Sequence, residues 1–246
     1  MELDLPLVGL TKEKQRLANA VVAREPILLL GPHGSGKTRL IRDVLRGRRG
    51  VVYIAWEETF HDLLVAIARS LMTAGHTEFI RRAQLGRNPD QWLSHQTSIH
   101  LRGLLGNAIQ REPIALFLDG VRHAGFPAYR FFQKIYYTQG VCLSASACDG
   151  ISLGALGRLF WDPRQVINVA PLGERECEEL FQAAADHFRL HGLELEDFRE
   201  KVLDSARGNP GQIIEMCRLA SQPQYVSGRY IKFAPLRIDT LIRFTG

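Results

Sequence analysis

The part of the sequence whose residue types and spacing point most directly to chemistry is GPHGSGKT, at positions 31–38, directly after the apolar run PILLL. Gly31, Gly36, Lys37 and Thr38 occupy the fixed positions of the pattern Gly-x-x-x-x-Gly-Lys-[Ser/Thr]. Glycine has no Cβ and tolerates positive φ, so backbone N–H groups can turn toward a polyphosphate and approach it closely. The lysine of this pattern reaches the β- and γ-phosphates, and the hydroxyl ligates Mg²⁺. The sequence therefore predicts a binding site for ATP and Mg²⁺.

The segments on either side of residues 31–39, which we call the P-loop, fit this interpretation. Residues 26–30 predict a buried strand, and KTRLIRDVL predicts a helix whose N-terminus faces the bound anion. The residues that we expect to contact the nucleotide here are Gly31, Pro32, His33, Gly34, Ser35, Gly36, Lys37, Thr38 and Arg39.

A second acidic group is needed to hold Mg²⁺ through its water shell, and the sequence offers one at the end of another predicted strand. ALFLD places four apolar residues before Asp119, about 80 residues after Lys37. We predict that Asp119 and Thr38 together hold Mg²⁺. The alternative is an aspartate that only ends the strand in a turn.

Strand-like and helix-like segments alternate regularly up to Pro171, and from Gly173 onward the pattern is purely helical. Near-continuous apolar strands are expected when helices cover both faces of a parallel sheet. We therefore predict an α/β fold, a five-stranded parallel P-loop NTPase sheet with helices on both faces, followed by a small all-helical domain. The predicted strands are residues 26–30, 50–56, 113–120, 140–146 and 164–172. The predicted domains are residues 1–171, residues 172–222 and a C-terminal extension, 223–246.

The bulk composition is that of a cytoplasmic protein. Of the 246 residues 46% are hydrophobic, yet no apolar stretch approaches the roughly 18 residues of a membrane span. The N-terminus MELDLPLVGL lacks the basic segment of a secretion signal. The four cysteines show no CxxC spacing and no nearby histidine pattern, so we expect buried thiols rather than disulfides or metal ligands. They are Cys142, Cys148, Cys177 and Cys217.

Basic residues are in excess, with a net charge of +5 and a sequence pI near 9.2. Arginines cluster at residues 46–49, 80–87 and 228–244. Guanidinium groups bind phosphates in a bidentate manner, so this surface is permissive for contacts to a DNA backbone. The alternative is an ordinary solvated surface.

Four further segments give the chain a resemblance to a known family. They are LVGLTKEKQRL ahead of the P-loop, LFLDG, LSAS and ARGNPGQI. Together with the P-loop they resemble the AAA+/STAND group of P-loop ATPases, in particular origin-initiator, helicase-loader, transposition and secretion ATPases. The resemblance covers roughly residues 5–222 and implies that the helical domain is a lid over the nucleotide.

The resemblance also implies roles for individual residues. Val8, Gly9 and Leu10 would border the adenine. Ser144 or Ser146 would be the sensor beside the γ-phosphate, and Asn209 and Pro210 would start a lid helix. Each of these residues has a plain structural alternative, as a turn, a strand end or a helix cap.

The sequence departs from the family pattern at two glycines. Gly120 follows Asp119 where family ATPases usually carry a second acid that orients the attacking water. Gly211 stands where many AAA+ relatives place an arginine that touches the γ-phosphate, whereas STAND members manage with the proline. Arg207 and Arg218 are nearby substitutes for that arginine.

A candidate for the missing base lies after the second predicted strand. YIAWEE places Glu57 and Glu58 at its carboxyl end, an arrangement that resembles RecA-like recombinases. The alternative is that both only cap the next helix.

An arginine finger, often supplied by a neighbouring subunit, also assists hydrolysis in such families. Arg158 is our first candidate for this finger, and Arg164 and Arg122 are the others. A finger supplied by a neighbour implies a homo-oligomer in the ATP state.

Three functions are compatible with these patterns. The first is an ATPase switch that assembles with or loads a DNA-processing or other protein partner. The second is a scaffold or signalling module that binds ATP with little hydrolysis, which Gly120 would explain. The third is a small-molecule kinase, which the helical C-terminal domain disfavours. The residues after Ser221 are too few for a winged-helix DNA reader, so we expect any DNA contact to be made to the backbone.

Overall fold

The computed structural model describes the backbone of residues 5–83 and 88–245, and within them the chain forms two compact units. The sheet unit consists of Glu13–Gly31 and Ile41–Asn168. The helical unit consists of residues 5–12, 32–40 and 169–245. The predicted basic cluster at residues 80–87 lies partly outside the described residues. No helix in the described ranges is long and apolar enough to cross a membrane.

Five parallel strands form the central sheet of the sheet unit, in the order β2-β3-β4-β1-β5. Their carboxyl ends therefore lie at one edge of the sheet. This arrangement confirms the predicted fold class. The strands are β1 (Leu28–Leu30), β2 (Val51–Ala55), β3 (Ala115–Val121), β4 (Cys142–Ala147) and β5 (Val166–Asn168).

Helices α1 to α7 precede or connect these strands. They are α1 (Thr11–Ala23), α2 (Lys37–Leu45), α3 (Phe60–Thr73), α4 (Thr77–Ala83), α5 (Pro89–Ser94), α6 (Ser98–Arg111) and α7 (Phe126–Tyr136). Short 3₁₀ helices at Gly154–Leu159 and Pro163–Gln165 separate β4 from β5. The strands are apolar because helices cover them: Leu116, Phe117 and Leu118 of β3 are at most 1% exposed.

The helical unit has its own apolar core. Its elements are α8 (Glu174–His187), α9 (Leu195–Ala206), α10 (Pro210–Ala220), a 3₁₀ turn at Pro223–Tyr225, the hairpin strands β6 (Val226–Ser227) and β7 (Tyr230–Ile231), and α11 (Phe233–Thr245). Leu180, Phe181, Ile213 and Met216 are at most 2% exposed in this core. The domain boundary that the sequence places near Pro171 stays a prediction, because each of the two compact units is built from several separate segments of the chain.

Three details differ from the sequence-based expectation. The sequence predicts no element for residues 77–83 or 223–245, yet the first forms α4 and the second forms the hairpin and α11. Within the basic segment 228–244, Leu236 packs into the core of the helical unit and Thr240 is buried. Strand β3 continues two residues beyond Asp119 instead of ending there.

The expectation of buried thiols holds for three of the four cysteines. Cys142, Cys177 and Cys217 are buried and free, and burial raises the pKa of each thiol, that of Cys217 to about 12. The expectation is wrong for Cys148, which is exposed because it lies just beyond the last residue of β4.

Candidate nucleotide-binding site

The P-loop has the backbone that its glycines allow. Gly34 and Gly36 have φ of +81° and +90°, and α2 begins at Lys37. The Lys37 side chain is only 8% exposed, and its Nζ donates to the Pro32 carbonyl at 2.9 Å and to the Ser35 hydroxyl at 3.4 Å. The ammonium is therefore held over its own loop at the N-terminus of a helix, where charge and dipole both favour a phosphate. These residues fit a nucleotide polyphosphate.

The start of α10 is hydrogen-bonded to the P-loop within the helical unit. The Asn209 Nδ2 donates to the His33 carbonyl at 2.8 Å, and the Gly211 N–H donates to the Gly34 carbonyl at 2.9 Å. Asn209 is also the N-cap of α10, and Pro210 is its first residue. The predicted lid helix thus begins at the predicted residue and contacts the loop that it is expected to cover.

Close packing at this contact explains why residue 211 is not an arginine. A Cβ on Gly211 would lie 2.7 Å from the Gly34 Cα and 2.9 Å from its carbonyl oxygen. A Cβ on Gly34 would in turn lie 2.3 Å from the ring of Phe244, at the end of α11. That ring also contacts the His33 ring edge-to-face, with centroids 5.1 Å apart. A side chain at position 211 would therefore separate α10 from the P-loop.

The two proposed substitutes for that arginine differ in their surroundings. Arg218 donates two hydrogen bonds to Glu215, at 2.7 and 2.8 Å, and is held by this ion pair. Arg207 is exposed and caps the C-terminus of α9 with a positive φ of 47°. Of the two, Arg207 is the one without an acidic partner in the described part of the chain.

The segment ahead of the P-loop packs into the same unit. Val8 is 8% exposed and belongs to the core that contains Leu172. Gly9 has φ of +66°, and a Cβ there would lie 2.8 Å from the Leu172 side chain, so glycine is favoured at this position. The Leu10 side chain is 3.4 Å from where a Cβ on Gly36 would be. Leu10 is therefore a neighbour of the P-loop, whereas Val8 and Gly9 pack beside Leu172.

In the sheet unit, Asp119 is the centre of a buried hydrogen-bond network. Its side chain is buried, with Oδ1 accepting from the Ser146 hydroxyl at 2.5 Å and Oδ2 accepting from the Tyr53 hydroxyl at 2.7 Å. Burial, followed by the hydrogen bond to Asp119, raises the pKa of Tyr53 to about 12. Asp119 is thus positioned by two neighbouring strands and is more than a turn residue.

The same network separates the two candidate sensor serines. The Ser146 hydroxyl also accepts from the Gly120 N–H at 2.8 Å, so Ser146 links β4 to Asp119. The Ser144 hydroxyl instead accepts from the Ile27 N–H at 3.1 Å, a contact that only ties β4 to the chain before β1. Ser146 is the better sensor candidate.

Local backbone geometry accounts for Gly120. The pairing of β3 with β4 shifts register between Leu118 and Val121, and Gly120 within this bulge has φ of +75°. A second acid at this position would have to adopt the left-handed region, at a cost of about 1–3 kcal/mol. The bulge therefore favours glycine where the family pattern has an acid.

Glu57 and Glu58 follow β2, the edge strand that pairs with β3. The Trp56 N–H donates to the Asp119 carbonyl at 2.8 Å, so the segment stays beside β3 up to the residue before Glu57. The N-cap of α3 is Thr59, whose hydroxyl accepts from the Asp62 N–H, so neither glutamate caps that helix. Glu57 is half-buried and Glu58 is exposed, and neither makes an ion pair within the described residues.

The three candidate arginine fingers are held differently. The Arg158 guanidinium lies over the rings of Phe126 and Tyr129, 5.5 and 5.8 Å from their centroids, and makes no ion pair within the described ranges. Arg164 is paired with Asp162 at 2.7 Å. Arg122, the third, is exposed after β3. Of the three, Arg158 is the arginine whose guanidinium is oriented by aromatic rings and is not engaged in an ion pair within the described ranges.

Tyr53 is a site residue that the sequence alone does not reveal. It lies in the apolar run GVVYIAW, where a tyrosine is indistinguishable from a core aromatic. Its role becomes clear only from the pairing of β2 with β3, which brings Tyr53 next to the strand that carries Asp119.

Comparison with known proteins agrees with these assignments at the level of family and fold. Residues 6–128 match the family model described as AAA ATPase domain. No curated protein matches the chain.

Solved structures share the fold at low sequence identity. The Walker-type ATPase PABY2304 of Pyrococcus abyssi superposes with a TM-score of 0.61 at 15% identity, over 96% of this chain and 72% of that one. A STAND protein with a tetratricopeptide repeat sensor, PH0952 from Pyrococcus horikoshii, gives 0.55 at 15% identity, over 99% of this chain but 33% of that one. The RuvB Holliday junction branch migration motor of Thermotoga maritima gives 0.51 at 16% identity, over 96% and 70%.

The match to the family model covers half of the chain and includes the P-loop and Asp119. The parallel sheet and the helical unit lie within the 96–99% of this chain that superposes on these structures, which confirms the resemblance found in the sequence. The chain belongs to the AAA ATPase domain family of nucleotide-binding ATPases and has the fold of AAA+ and STAND P-loop ATPases.

Proposed function

We propose that this protein is a cytoplasmic switch that binds and hydrolyses ATP, and that assembles with or loads a DNA-processing or other protein partner. The observation that carries the proposal is the pair of hydrogen bonds from Asn209 and Gly211 to the P-loop carbonyls. Because the loop and α10 are bonded directly, a change at the phosphates would be passed to the helices that follow. ATP and ADP would thereby favour different arrangements of the helical unit.

The phosphates would be held by the P-loop backbone and by Lys37, whose buried ammonium offsets their charge. The adenine would lie beside Val8 and Gly9, with Pro210 at the start of the lid helix. These contacts would make the nucleotide part of the helical unit's core, and so couple binding to the stability of that unit.

Magnesium would be held by the Thr38 hydroxyl and by Asp119, whose carboxylate still has acceptor capacity beyond its bonds to Tyr53 and Ser146. The ion would neutralise charge on the phosphates. The protein's contribution is to keep Asp119 buried and oriented by two hydroxyl donors.

Asp119→Asn is expected to retain much of the ATP affinity while losing the Mg²⁺ dependence of turnover. Since an amide carries no charge, the variant should also lower the pKa of Tyr53 in part from about 12, while the larger contribution of burial remains. Ultraviolet titration of tyrosinate measures this shift, and Tyr53→Phe assigns it. Mg²⁺-dependent turnover that survives in Asp119→Asn would contradict the assignment.

Hydrolysis would require a base and a cation beyond the P-loop. Glu57, the half-buried glutamate after β2, would accept the proton of the attacking water, with Glu58 as the alternative. Ser146 would sense the γ-phosphate. Arg158 would reach the site of a neighbouring subunit, which implies a homo-oligomer in the ATP state.

A second candidate function is a nucleotide-dependent scaffold or signalling module with little hydrolysis. The observation that favours it is the β-bulge at Gly120, which leaves β3 without a second acid after Asp119 to orient water. A small-molecule kinase is disfavoured by the helical unit, in which the start of α10 is hydrogen-bonded to the P-loop.

One experiment separates these functions: ATP turnover with and without duplex DNA, alongside molar mass by light scattering in each nucleotide state. The switch predicts a larger mass with ATP than with ADP, and measurable turnover. An ATP-dependent mass without turnover favours the scaffold. The same mass with ATP and with ADP, together with no measurable turnover, would contradict the switch.

The arginine clusters lead to a separate prediction, which is tested by measuring the affinity for DNA. If they contact DNA, the affinity should fall steeply between 50 and 200 mM salt and show no sequence preference. A plot of log K against log salt should be linear, with a slope proportional to the number of phosphates neutralised. Absence of binding at low salt to both duplex and single-stranded DNA would leave a protein as the partner.

A further inference from the structure

Helices α6 and α7 in the sheet unit carry exposed cations that no acid offsets within the described residues. Arg102 on α6 and Arg130 and Lys134 on α7 line a groove between the two helices, with a volume of about 350 Å³. All three side chains are exposed, and none makes a hydrogen bond or an ion pair in the described ranges. Neither helix contains an aspartate or a glutamate. This face is therefore open to an anion.

The acid closest to α6 in sequence is turned away from the groove. Glu112, the C-cap of α6, accepts from the Thr77 hydroxyl at 2.8 Å and from the Glu78 N–H at 2.7 Å. Both of these donors lie at the start of α4. The carboxylate is thus engaged elsewhere and leaves the positive charge of the groove in place.

The arginine-rich segments at residues 80–87 and 228–244 are less available to an anion. Arg81 and Arg82 both pair with Glu78, at 2.9 and 3.1 Å, and Arg243 pairs with Glu215 at 2.9 Å. An arginine held by a carboxylate has to share or give up that partner before it can bind a phosphate. The unpaired cations of α6 and α7 bind without that loss.

An exposed aromatic ring lies on the same side of α7 as its two cations. Arg130, Lys134 and Tyr137 are four and three residues apart, so they share one face of the helix. Tyr137 is the C-cap of α7 and is 71% exposed. Its one aromatic contact in the described part of the chain is edge-to-face with Tyr136. The face thus offers a ring for stacking beside two positive charges.

The floor of the groove offers no surface to an apolar anchor. Phe131 and Ile135 are 4% and 0% exposed, so binding depends on the cations and on Tyr137. On the α6 side, a Cβ on Gly103 or Gly106 would meet no atom within 4 Å outside the backbone of its own helix. A sugar-phosphate chain can therefore approach α6 closely at these two positions.

We propose that this face binds single-stranded nucleic acid, with Arg102, Arg130 and Lys134 contacting phosphates and Tyr137 stacking on a base. Guanidinium groups bind phosphate in a bidentate manner, and a single strand presents the base faces that a duplex keeps stacked. A run of acidic side chains would satisfy the cations but offers no ring to Tyr137. The proposal rests on the proposed function, since it names the nucleic acid that the switch would engage, but binding is measured without ATP.

The probe is a fluorescein-labelled oligothymidylate of twelve nucleotides, followed by fluorescence anisotropy at several salt concentrations. We expect saturable binding at low salt and a slope of log K against log salt of about −2 or steeper, since each phosphate contact on a single strand contributes about −0.7. Arg102→Gln and Arg130→Gln should each weaken binding about tenfold and make the slope shallower by about 0.7.

Arg111→Gln is the matched control for these two variants. Arg111 is exposed and lies on α6, but it follows Arg102 by nine residues and so lies on the opposite side of the helix. The affinity should stay within about twofold of the wild type and the salt slope should not change.

Tyr137→Ala tests stacking separately from charge. This variant should bind the probe about fivefold or more weakly with an unchanged salt slope, because the ring contacts a base and not a phosphate. Tyr137→Phe keeps the stacking surface and should remain within about twofold of the wild type. A dodecaglutamate peptide should displace the probe far less well than an unlabelled strand of the same length.

Four results would overturn the proposal. They are the absence of saturable binding at low salt, equal effects of Arg102→Gln and Arg111→Gln, wild-type affinity in Tyr137→Ala, and displacement by dodecaglutamate as efficient as by the unlabelled strand. The last of these would assign the face to an acidic protein segment. Calorimetry should show normal ATP affinity in every variant, because the substituted residues are exposed and lie outside the P-loop. A wild-type protein that fails to bind ATP would contradict the switch while leaving the result for this face intact.

Discussion

Lys37→Ala is expected to lower the affinity for ATP by about a hundredfold or more. The lysine ammonium is nearly buried above its own loop, where it would meet the β- and γ-phosphates in a water-poor setting. A hydrogen bond to a charged group contributes up to about 3 kcal/mol, which corresponds to roughly a factor of 150 in affinity. Titration calorimetry with ATP and Mg²⁺ measures the effect directly.

Lys12→Ala is the matched control. Lys12 belongs to the same compact unit and carries the same charge, but its side chain is exposed. Its loss changes the net charge equally and should leave the affinity within about twofold, as is usual for surface charges. If both variants bind ATP like the wild type, the P-loop interpretation is wrong.

Glu57→Gln is expected to reduce ATP turnover by a factor of about 10²–10⁴, the usual contribution of general-base assistance. The amide keeps the size and the hydrogen-bonding shape of the side chain but cannot accept the proton of the attacking water. ATP binding should be retained, because the glutamate is expected to act on water and not on the phosphates. Single-turnover hydrolysis and calorimetry on the same preparation separate the two quantities.

Glu58→Gln is the control that the chain itself provides. Glu58 is the next residue and is exposed, whereas Glu57 is half-buried, so we expect the larger loss at Glu57. A large loss only in Glu58→Gln would move the base by one residue. Equal rates in both variants and the wild type would exclude the β2 end as the source of the base and favour the scaffold function.

The P-loop, the parallel sheet and Asp119 could be predicted from the sequence because each depends on local pattern. Four fixed residues within eight positions determine the P-loop, and apolar runs that end in a polar residue determine the strands. The prediction of Asn209 as the first residue of a lid helix also rests on a local signal, an N-cap followed by proline.

Other features depend on contacts between distant segments and could not be predicted. Ser144 and Ser146 are two residues apart in the same strand, and their sequence context does not distinguish them. Only the structure shows that Ser144 accepts from the Ile27 N–H whereas Ser146 donates to Asp119. Gly211 departs from the family pattern because of Gly34, which is remote in sequence. Helix α11 was missed because its polar and apolar residues give no clear one-sided pattern, and its packing against α10 decides its fold.

The hydrogen bond between Asn209 and His33 joins residues 176 positions apart, which has a consequence for the chain during synthesis. A ribosome adds about 5–20 residues per second, so the P-loop waits on the order of ten to thirty-five seconds before its partners in α10 exist. Closing a loop of this length also carries an entropic cost that must be met before the contact forms. The loop that binds nucleotide is thus translated early and acquires its full set of contacts late. A nascent chain released before residue 211 would carry the complete phosphate-binding motif without the helix that holds it in place.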